Sequence, residues 1–370
     1  MPGVVIAAPT RLERVRALLD AHDLDAVLLS RSAVKRWLAG FILQRGEEQM
    51  SGYAGTLLVT RDRKLLLADG IYIEQAALEA PDWELIRTGG SIDAELTPLW
   101  PELGVRRCGA EADVLSHGRW QAICTAAPQV ELVALDGELA ALREIKEPAE
   151  QEAVARACEL TDRCFAYLLS IVRPGLTEQQ ISAEIEDWFR ANGAEGLAFD
   201  SLVLVGARAS MPHGHPTPAA VQSGKALLLD FGCQVDGYRS DMTRTVFVGD
   251  PDDEARTLYE LVADAQAAAF ARCADGVPAR AIDAAAREMI SAAGFGEAFG
   301  HGLGHGIGLE THEAPSLRLY PGPLRAGMTF TIEPGIYLPG RIGIRIEDDV
   351  LLTESGPRYL TTAPRDLIVI

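Results

Sequence analysis

Lysine is the scarcest charged residue in this chain. Lys35, Lys64, Lys146 and Lys225 are the only four among 34 basic side chains, so arginine carries nearly all positive charge, a bias to which no function attaches. Acids outnumber bases 53 to 34, for a formal net charge of −19. Such a surface repels nucleic acid and anionic membrane, which argues against both as partners. Long apolar runs are missing too. No stretch approaches the ~20 uninterrupted apolar residues that a membrane span requires. The opening MPGVVIAAPTRLERVRALL reaches Arg11, Arg14 and Arg16 with no basic segment ahead of a long apolar core, so it does not read as a signal peptide. Cysteine is sparse, and Cys108, Cys124, Cys158, Cys164, Cys233 and Cys273 form no CxxC pair. Free, mostly buried thiols in a reducing cytoplasm are the expectation. Cys233, although close to Asp230, is expected to pack and not to ligate.

What is present reads as two domains. A chain of 370 residues has room for two hydrophobic cores, and 48% hydrophobic with 24% charged residues are globular values. Thr10 predicts an N-cap, followed by Leu12, Val15 and Leu19 at helical spacing. DAVLLS (25–30), GTLLVT (55–60) and KLLLAD (64–69) predict short strands, 71–79 a helix and 83–87 another strand. That alternation implies an α/β domain with a partly parallel sheet. The junction falls near 135–147, with expected domains 1–136 and 137–370. Pro148 suits the first turn of the next helix, which runs to Val172. Thr177 and Gln180 have capping-box spacing, and 254–273 and 278–293 predict two more long helices. Strands backed by these helices make the second domain α+β.

The chemistry concentrates in 227–352. Asp230 ends the apolar run 226–229. In DMTRTVFVG (241–249), strand alternation puts Asp241, Thr243 and Thr245 on one face. Glu333 closes MTFTIEP (328–334). RIGIRIEDDV (341–350) puts Ile342, Ile344 and Ile346 on one face and Arg345 and Glu347 on the other. His305 lies in a glycine-rich turn between these segments. An ionised carboxylate isolated in an apolar interior is very costly, and four together repel one another. Two divalent cations would balance them, and an oxygen-rich set with one imidazole suits Mn²⁺, with Co²⁺ or Zn²⁺ as alternatives. Two such ions about 3.5–4 Å apart are a hydrolytic arrangement that activates water and polarises the attacked carbonyl. The competing reading is ordinary strand-end acids, solvated or paired with Arg244 and Arg345.

LLDFGCQVDGYRSDMTRTVFVG (228–249) resembles the double-aspartate segment of the pita-bread metallopeptidases. HGLGHGIGLETHEAP (301–315) resembles their histidine segment, and GMTFTIEPGIYLPGRIGIRIED (327–348) their double-glutamate segment. The match is closest to the aminopeptidase P and prolidase branch. It is strong over roughly 140–370 and weaker upstream, where Asp69-Gly70-Ile71-Tyr72 resembles an Asp-Gly-Arg-Tyr element. The resemblance implies a pita-bread catalytic domain preceded by a smaller α/β domain of creatinase type. It also implies two metal ions on Asp230, Asp241, His305, Glu333 and Glu347, proline-containing peptides as substrates, and a homodimer.

The resemblance makes His305 the ligand, with His301 lining the pocket and His213 and His312 contacting substrate or the tetrahedral intermediate. The spacing HxxxH suits a helix face, but glycines at 302, 304, 306 and 308 argue against a helix. Cleavage before proline leaves a ring nitrogen that must gain a proton, and an imidazole titrating near neutrality supplies it or stabilises the oxyanion. Glu333 is the candidate proton shuttle, Arg345 fixes Glu347 or the substrate, and Tyr337 is a further supporting candidate. The expected activity is that of an Xaa-Pro aminopeptidase, and the alternative is a prolidase restricted to Xaa-Pro dipeptides. The same donors serve both, so the motifs do not separate them. A methionine aminopeptidase would lack the upstream domain, a creatinase would lack the ligands, and an inactive peptide-binding module would have lost some of them. The polar segment ILQRGEEQMS (42–51) is expected to offer Gln44, Arg45, Glu47 or Glu48 to the substrate's terminus.

Overall fold

The structure is a computed structural model and describes residues 9–43, 54–89 and 91–370. Gln44, Arg45, Glu47 and Glu48 lie outside the described residues. The chain divides into two compact units, Met1–Arg143 and Glu144–Ile370.

The first unit opens with α1 (Arg11–Ala21), where Thr10 and Glu13 form a reciprocal capping box. There follow β1 (Ala26–Leu29), α2 (Ser32–Ala39), β2 (Thr56–Thr60), β3 (Lys64–Asp69), α3 (Ile73–Glu79), β4 (Glu84–Thr88), α4 (Ile92–Leu103), β5 (Arg107–Ala110), α5 (His117–Ala126), β6 (Glu131–Ala134) and α6 (Asp136–Ala141). The strands form one sheet in the order β4-β3-β2-β1-β5-β6. It is parallel at β3/β4, β1/β5 and β5/β6, and antiparallel at β1/β2 and β2/β3. Leu28, Leu58, Leu65 and Leu67 meet Leu96, Trp100 and Ile123 in its core. This is the partly parallel α/β unit that the alternation predicts.

The second unit begins with α7 (Pro148–Ile171), with Pro148 in its first turn, and α8 (Glu178–Ala191), capped by Thr177 and Gln180. Next come β7 (Gly196–Leu197), β8 (Leu202–Val205), β9 (Lys225–Phe231), β10 (Cys233–Val235), β11 (Tyr238–Arg239) and β12 (Met242–Val248). Then α9 (Asp253–Arg272) and α10 (Ala279–Ala292) precede β13 (Thr329–Ile332), β14 (Gly335–Leu338), β15 (Ile342–Arg345), β16 (Asp348–Thr353), β17 (Gly356–Tyr359) and β18 (Ile368–Val369). Two cores result. Phe165, Leu168, Ile185 and Phe189 of α7 and α8 pack on Val203, Leu229 and Met242. Leu258, Val262, Ile282 and Ile290 of α9 and α10 pack on Phe330, Ile332, Ile344 and Val350. Each core is a helix pair against antiparallel strands. The repetition lies in the packing and not in the residue identities, which is why reading the sequence does not reveal it.

One local reading changes. The segment 341–350 is not one strand: β15 pairs with β14, whereas β16 pairs with β13 and β17, with Ile346 and Glu347 between them. The Glu347 N–H donates to Thr243 O at 3.0 Å, so the chain changes sheets at that residue. β12 is buried on both faces. Thr243 and Thr245 tolerate this because their hydroxyls are spent on Glu347 and on the Arg345 carbonyl. No helix among the described residues is long and apolar enough to cross a membrane.

Candidate active site

A cavity of about 420 Å³ in the second unit is lined by Asp230, Asp241, His305, Glu333 and Glu347 together with His213, His301, His312 and Arg345. These nine residues, all put forward from the sequence, share the cavity lining with the apolar Phe199, Leu202 and Pro212. Asp230 lies in β9 opposite Thr243 of β12. Asp241 immediately precedes β12, Glu333 follows β13, and Glu347 marks the change of sheet. The histidine segment runs without helix along β13, where Thr331 N–H donates to His305 O and Glu333 N–H to Leu303 O, both at 2.8 Å. A Cβ on Gly304 would stand 2.0 Å from Thr331 O, and one on Gly306 2.2 Å from Ala314 O. Only glycine permits that approach.

The donors fit a divalent cation. One donor atom each from Asp241, His305 and Glu347 lies within 4.8 Å of the others. Oδ1 of Asp230 and Oδ1 of Asp241 are buried without a hydrogen-bond partner, an arrangement that normally demands a compensating group. His305 sharpens the point. Its Nδ1 lies 3.1 Å from Gly306 O and donates to it, so the Nε2 lone pair faces Glu333 Oε1 at 3.4 Å and Asp241 Oδ2 at 3.7 Å. Burial, then His312, push this imidazole down to about 3, so it does not carry a second proton. A lone pair aimed at carboxylate oxygens suits a cation between them, and a ligating imidazole commonly donates its other N–H to a carbonyl.

The carboxyls tell the same story. Burial foremost, then Glu347 and Asp230, hold Asp241 well above its usual range. Burial, then Glu333, do the same to Glu347. Burial and Asp230 push Glu333 up to about 8 against the opposing Arg345. These acids are poorly tolerated as neighbours unless positive charge joins them.

Part of that charge comes from the protein. Arg345 pairs with Asp230 Oδ2, and its Nε donates to Thr243 Oγ1 at 2.9 Å. The Thr243 hydroxyl donates to Glu347 Oε2 at 2.6 Å. Arg345 Nη1 donates to the Tyr337 hydroxyl at 2.8 Å, leaving that hydroxyl to donate to His301 Nε2 at 2.9 Å. His301 Nδ1 donates to Gly302 O at 2.8 Å. Both His301 nitrogens are therefore committed, and burial lowers the ring to about 4. His312 lies beside His305, with ring centroids 4.2 Å apart.

Sequence reasoning placed Tyr337 only as a supporting candidate and passed over Asp348 and Asp349. Asp348 accepts from Arg244, Gln266, Thr361 and Arg365. Asp349 accepts the Asp241 N–H at 2.8 Å and the Cys158 thiol at 3.2 Å. The tandem Glu347-Asp348-Asp349 in an apolar run was the available signal. Arg244 thus pairs with the Asp348 carboxylate and reaches Glu347 only at its backbone carbonyl, to which Nη1 donates at 2.6 Å, and Cys233 packs against Thr161 and Ser240 away from the cavity wall.

The pattern of Metallopeptidase family M24 matches residues 152–354, and that of the Creatinase/Prolidase N-terminal domain matches 11–145. The Xaa-Pro dipeptidase of Pyrococcus horikoshii is 31% identical over 97% of this chain and 98% of its own length. Among solved structures, the Xaa-Pro dipeptidase from Bacillus anthracis superposes with a TM-score of 0.91 at 36% identity, covering 97% of this chain and 99% of that one. The X-Pro aminopeptidase from Thermotoga maritima gives 0.86 at 34% identity, covering 98% and 100%. With its pita-bread catalytic unit and creatinase-type N-terminal unit, this chain belongs to metallopeptidase family M24 and is a metal-dependent peptidase.

Proposed function

We propose that this protein is an Xaa-Pro dipeptidase, a prolidase, working with two divalent cations, Mn²⁺ foremost, held by Asp230, Asp241, His305, Glu333 and Glu347. The observation that carries the reading is the His305 lone pair facing carboxylate oxygens across the cavity, beside two partnerless aspartate oxygens. The aminopeptidase P reading expected from the motifs yields to the dipeptidase. The Pyrococcus relative and the Bacillus anthracis structure, at the higher TM-score, are both named dipeptidases, and the Thermotoga structure is named an aminopeptidase. The domains 1–136 and 137–370, a homodimer and a cytoplasmic setting belong to the same proposal.

When bound, the cations supply Lewis acidity and an activated water nucleophile. Glu333, at the cavity wall beside His305, would take up the proton that an attacking water loses. His213 and His312 deliver a proton to the departing proline nitrogen or a hydrogen bond to the developing oxyanion. His301, with both nitrogens engaged, orients Tyr337 and transfers no proton. Phe199, Leu202 and Pro212 give the substrate an apolar face and keep water from it.

The test is a comparison of lengths after chelator-stripped protein is reloaded with Mn²⁺, Co²⁺ or Zn²⁺. An Xaa-Pro dipeptide is expected to be cleaved only with added metal, and an Xaa-Pro-Xaa tripeptide with kcat/KM at least about tenfold lower. Rapid tripeptide turnover would restore the aminopeptidase. Inactivity toward both under every ion would sink either form.

A further inference from the structure

His213 reaches the cavity from a loop, and among the described residues no hydrogen bond holds its ring. Its placement must come from the backbone that carries it. That backbone, residues 206–217, is an excursion between β8 and β9 that opens with a 3₁₀ turn over Gly206–Ser210. Both ends of the excursion converge on one side chain, Glu178, at the first position of α8. Glu178 is fully buried. Its Oε1 accepts from Val205 N–H and from Arg208 Nε, both at 2.9 Å. Its Oε2 accepts from Thr217 N–H at 2.8 Å, Thr217 Oγ1 at 2.7 Å and Arg208 Nε at 3.0 Å. Arg208 Nη2 then donates to His215 O at 2.8 Å, two residues beyond His213.

The first residue of a helix ordinarily keeps its side chain in water, so a buried carboxylate there asks for a reason. Ionised, it makes charge-assisted hydrogen bonds, stronger than neutral ones, and the helix N-terminus favours its negative charge. It joins Val205 and Arg208, neighbours at the start of the loop, to Thr217 at its far end. The loop is seated at two further places. A Cβ on Gly214 would lie 2.8 Å from Leu204 Cδ2, and a Cβ on Gly343 of β15 would lie 1.9 Å from Ala209 O. With its ends tied and its middle laid against β8 and β15, the excursion has one conformation in which Pro212 and His213 line the cavity.

We propose that Glu178 is a positioning residue for His213: one carboxylate clamps both ends of the loop and thereby fixes where the imidazole meets the substrate. The proposal rests on the reading above in that His213 serves the reaction. A carboxylate that merely stabilised the fold would act independently of His213, and a double-mutant cycle separates the two.

Glu178→Gln keeps the shape but offers an amide N–H₂ to N–H donors. It is expected to lower kcat about 10–100-fold, as small misplacements of a reacting group do, with KM and metal content little changed. Introduced into His213→Ala, the same change should leave kcat where His213→Ala alone puts it. An equal loss in both backgrounds would overturn the proposal. Should Glu178→Gln fail to fold, Thr217→Val and Arg208→Met each remove one donor, and the same cycle applies with smaller losses expected. A readout free of metal and activity uses histidine-labelled, metal-free protein. The ring signal that His213→Ala removes should shift or broaden in the position-178 variant, while those of His22 and His117 stay. An unmoved His213 signal would also overturn the proposal. A wild-type protein inactive on Xaa-Pro dipeptides with a moved signal would instead sink the functional reading alone.

Discussion

A buried carboxylate has few ways to remain ionised, and the acids in this cavity are supported unequally. Asp230 gives one oxygen to Arg345 and keeps the other without a partner. Glu347 takes the Thr243 hydroxyl, and Asp241 Oδ1 takes nothing. With Arg345 set against four acids, three negative charges remain, so two divalent ions would leave one positive charge over, a polarity that suits an anionic nucleophile. Asp241→Asn and Glu347→Gln each remove one of those charges. Each is expected to drop bound metal below one ion per chain and kcat by more than the about 10–100-fold lost when only a ligand's supporting partner is removed. Metal analysis beside steady-state kinetics checks this, and near-normal kcat with full metal would contradict it. The four acids were legible because ionisable residues stood in strongly apolar runs. Thr243 and Tyr337 were less so, because a strand Thr or Tyr usually packs, and only partners from distant segments reveal the hydrogen bonds they make.

At the scale of elements, the histidine segment shows what glycine contributes. His305 faces Asp241 and Glu333 because the backbone on either side of it touches β13 and the turn at Ala314. Gly304→Ala would force its methyl into Thr331 O, so the segment must lift from β13 and carry His305 with it. The expected result is a loss of metal affinity of about 10–100-fold with the helices intact, read by metal titration and far-ultraviolet circular dichroism. Unchanged affinity would mean that the turn has slack the structure does not show. The glycines announced a bend, not its direction. Helix starts were written more openly, in Thr10 with Glu13, Pro148, and Thr177 with Gln180, because capping is settled within four residues. The break at Glu347 was hidden, since alternation in 341–350 continues through a residue whose N–H has gone to another strand.

For the whole molecule, metal and pH act on stability together. Asp241, Glu347 and Glu333 bind protons more tightly in the folded, metal-free chain than unfolded, Glu333 up to about 8 against an ordinary 4.5. The folded state then holds more protons than the unfolded state between those values, so metal-free stability falls as pH rises through that window. Bound cations replace the protons. The Tm advantage of Mn²⁺-loaded over chelator-stripped protein is therefore expected to widen from about pH 5 to about pH 8, as preferential binding to the native state requires. Scanning calorimetry across that range checks it, and a narrowing gap would count against a cation at these acids. The sequence by itself determined the two-unit organisation, the helix starts and the candidate acidic and imidazole donors, because composition, period and capping are local or additive. Only the tertiary structure decided that Arg345 serves Asp230 and Tyr337, that both His301 nitrogens are committed, and that Glu178 ties the His213 loop. Each depends on which side chains from separate segments meet in a low-dielectric interior, where a buried polar atom takes whichever partner the packing brings within about 3 Å.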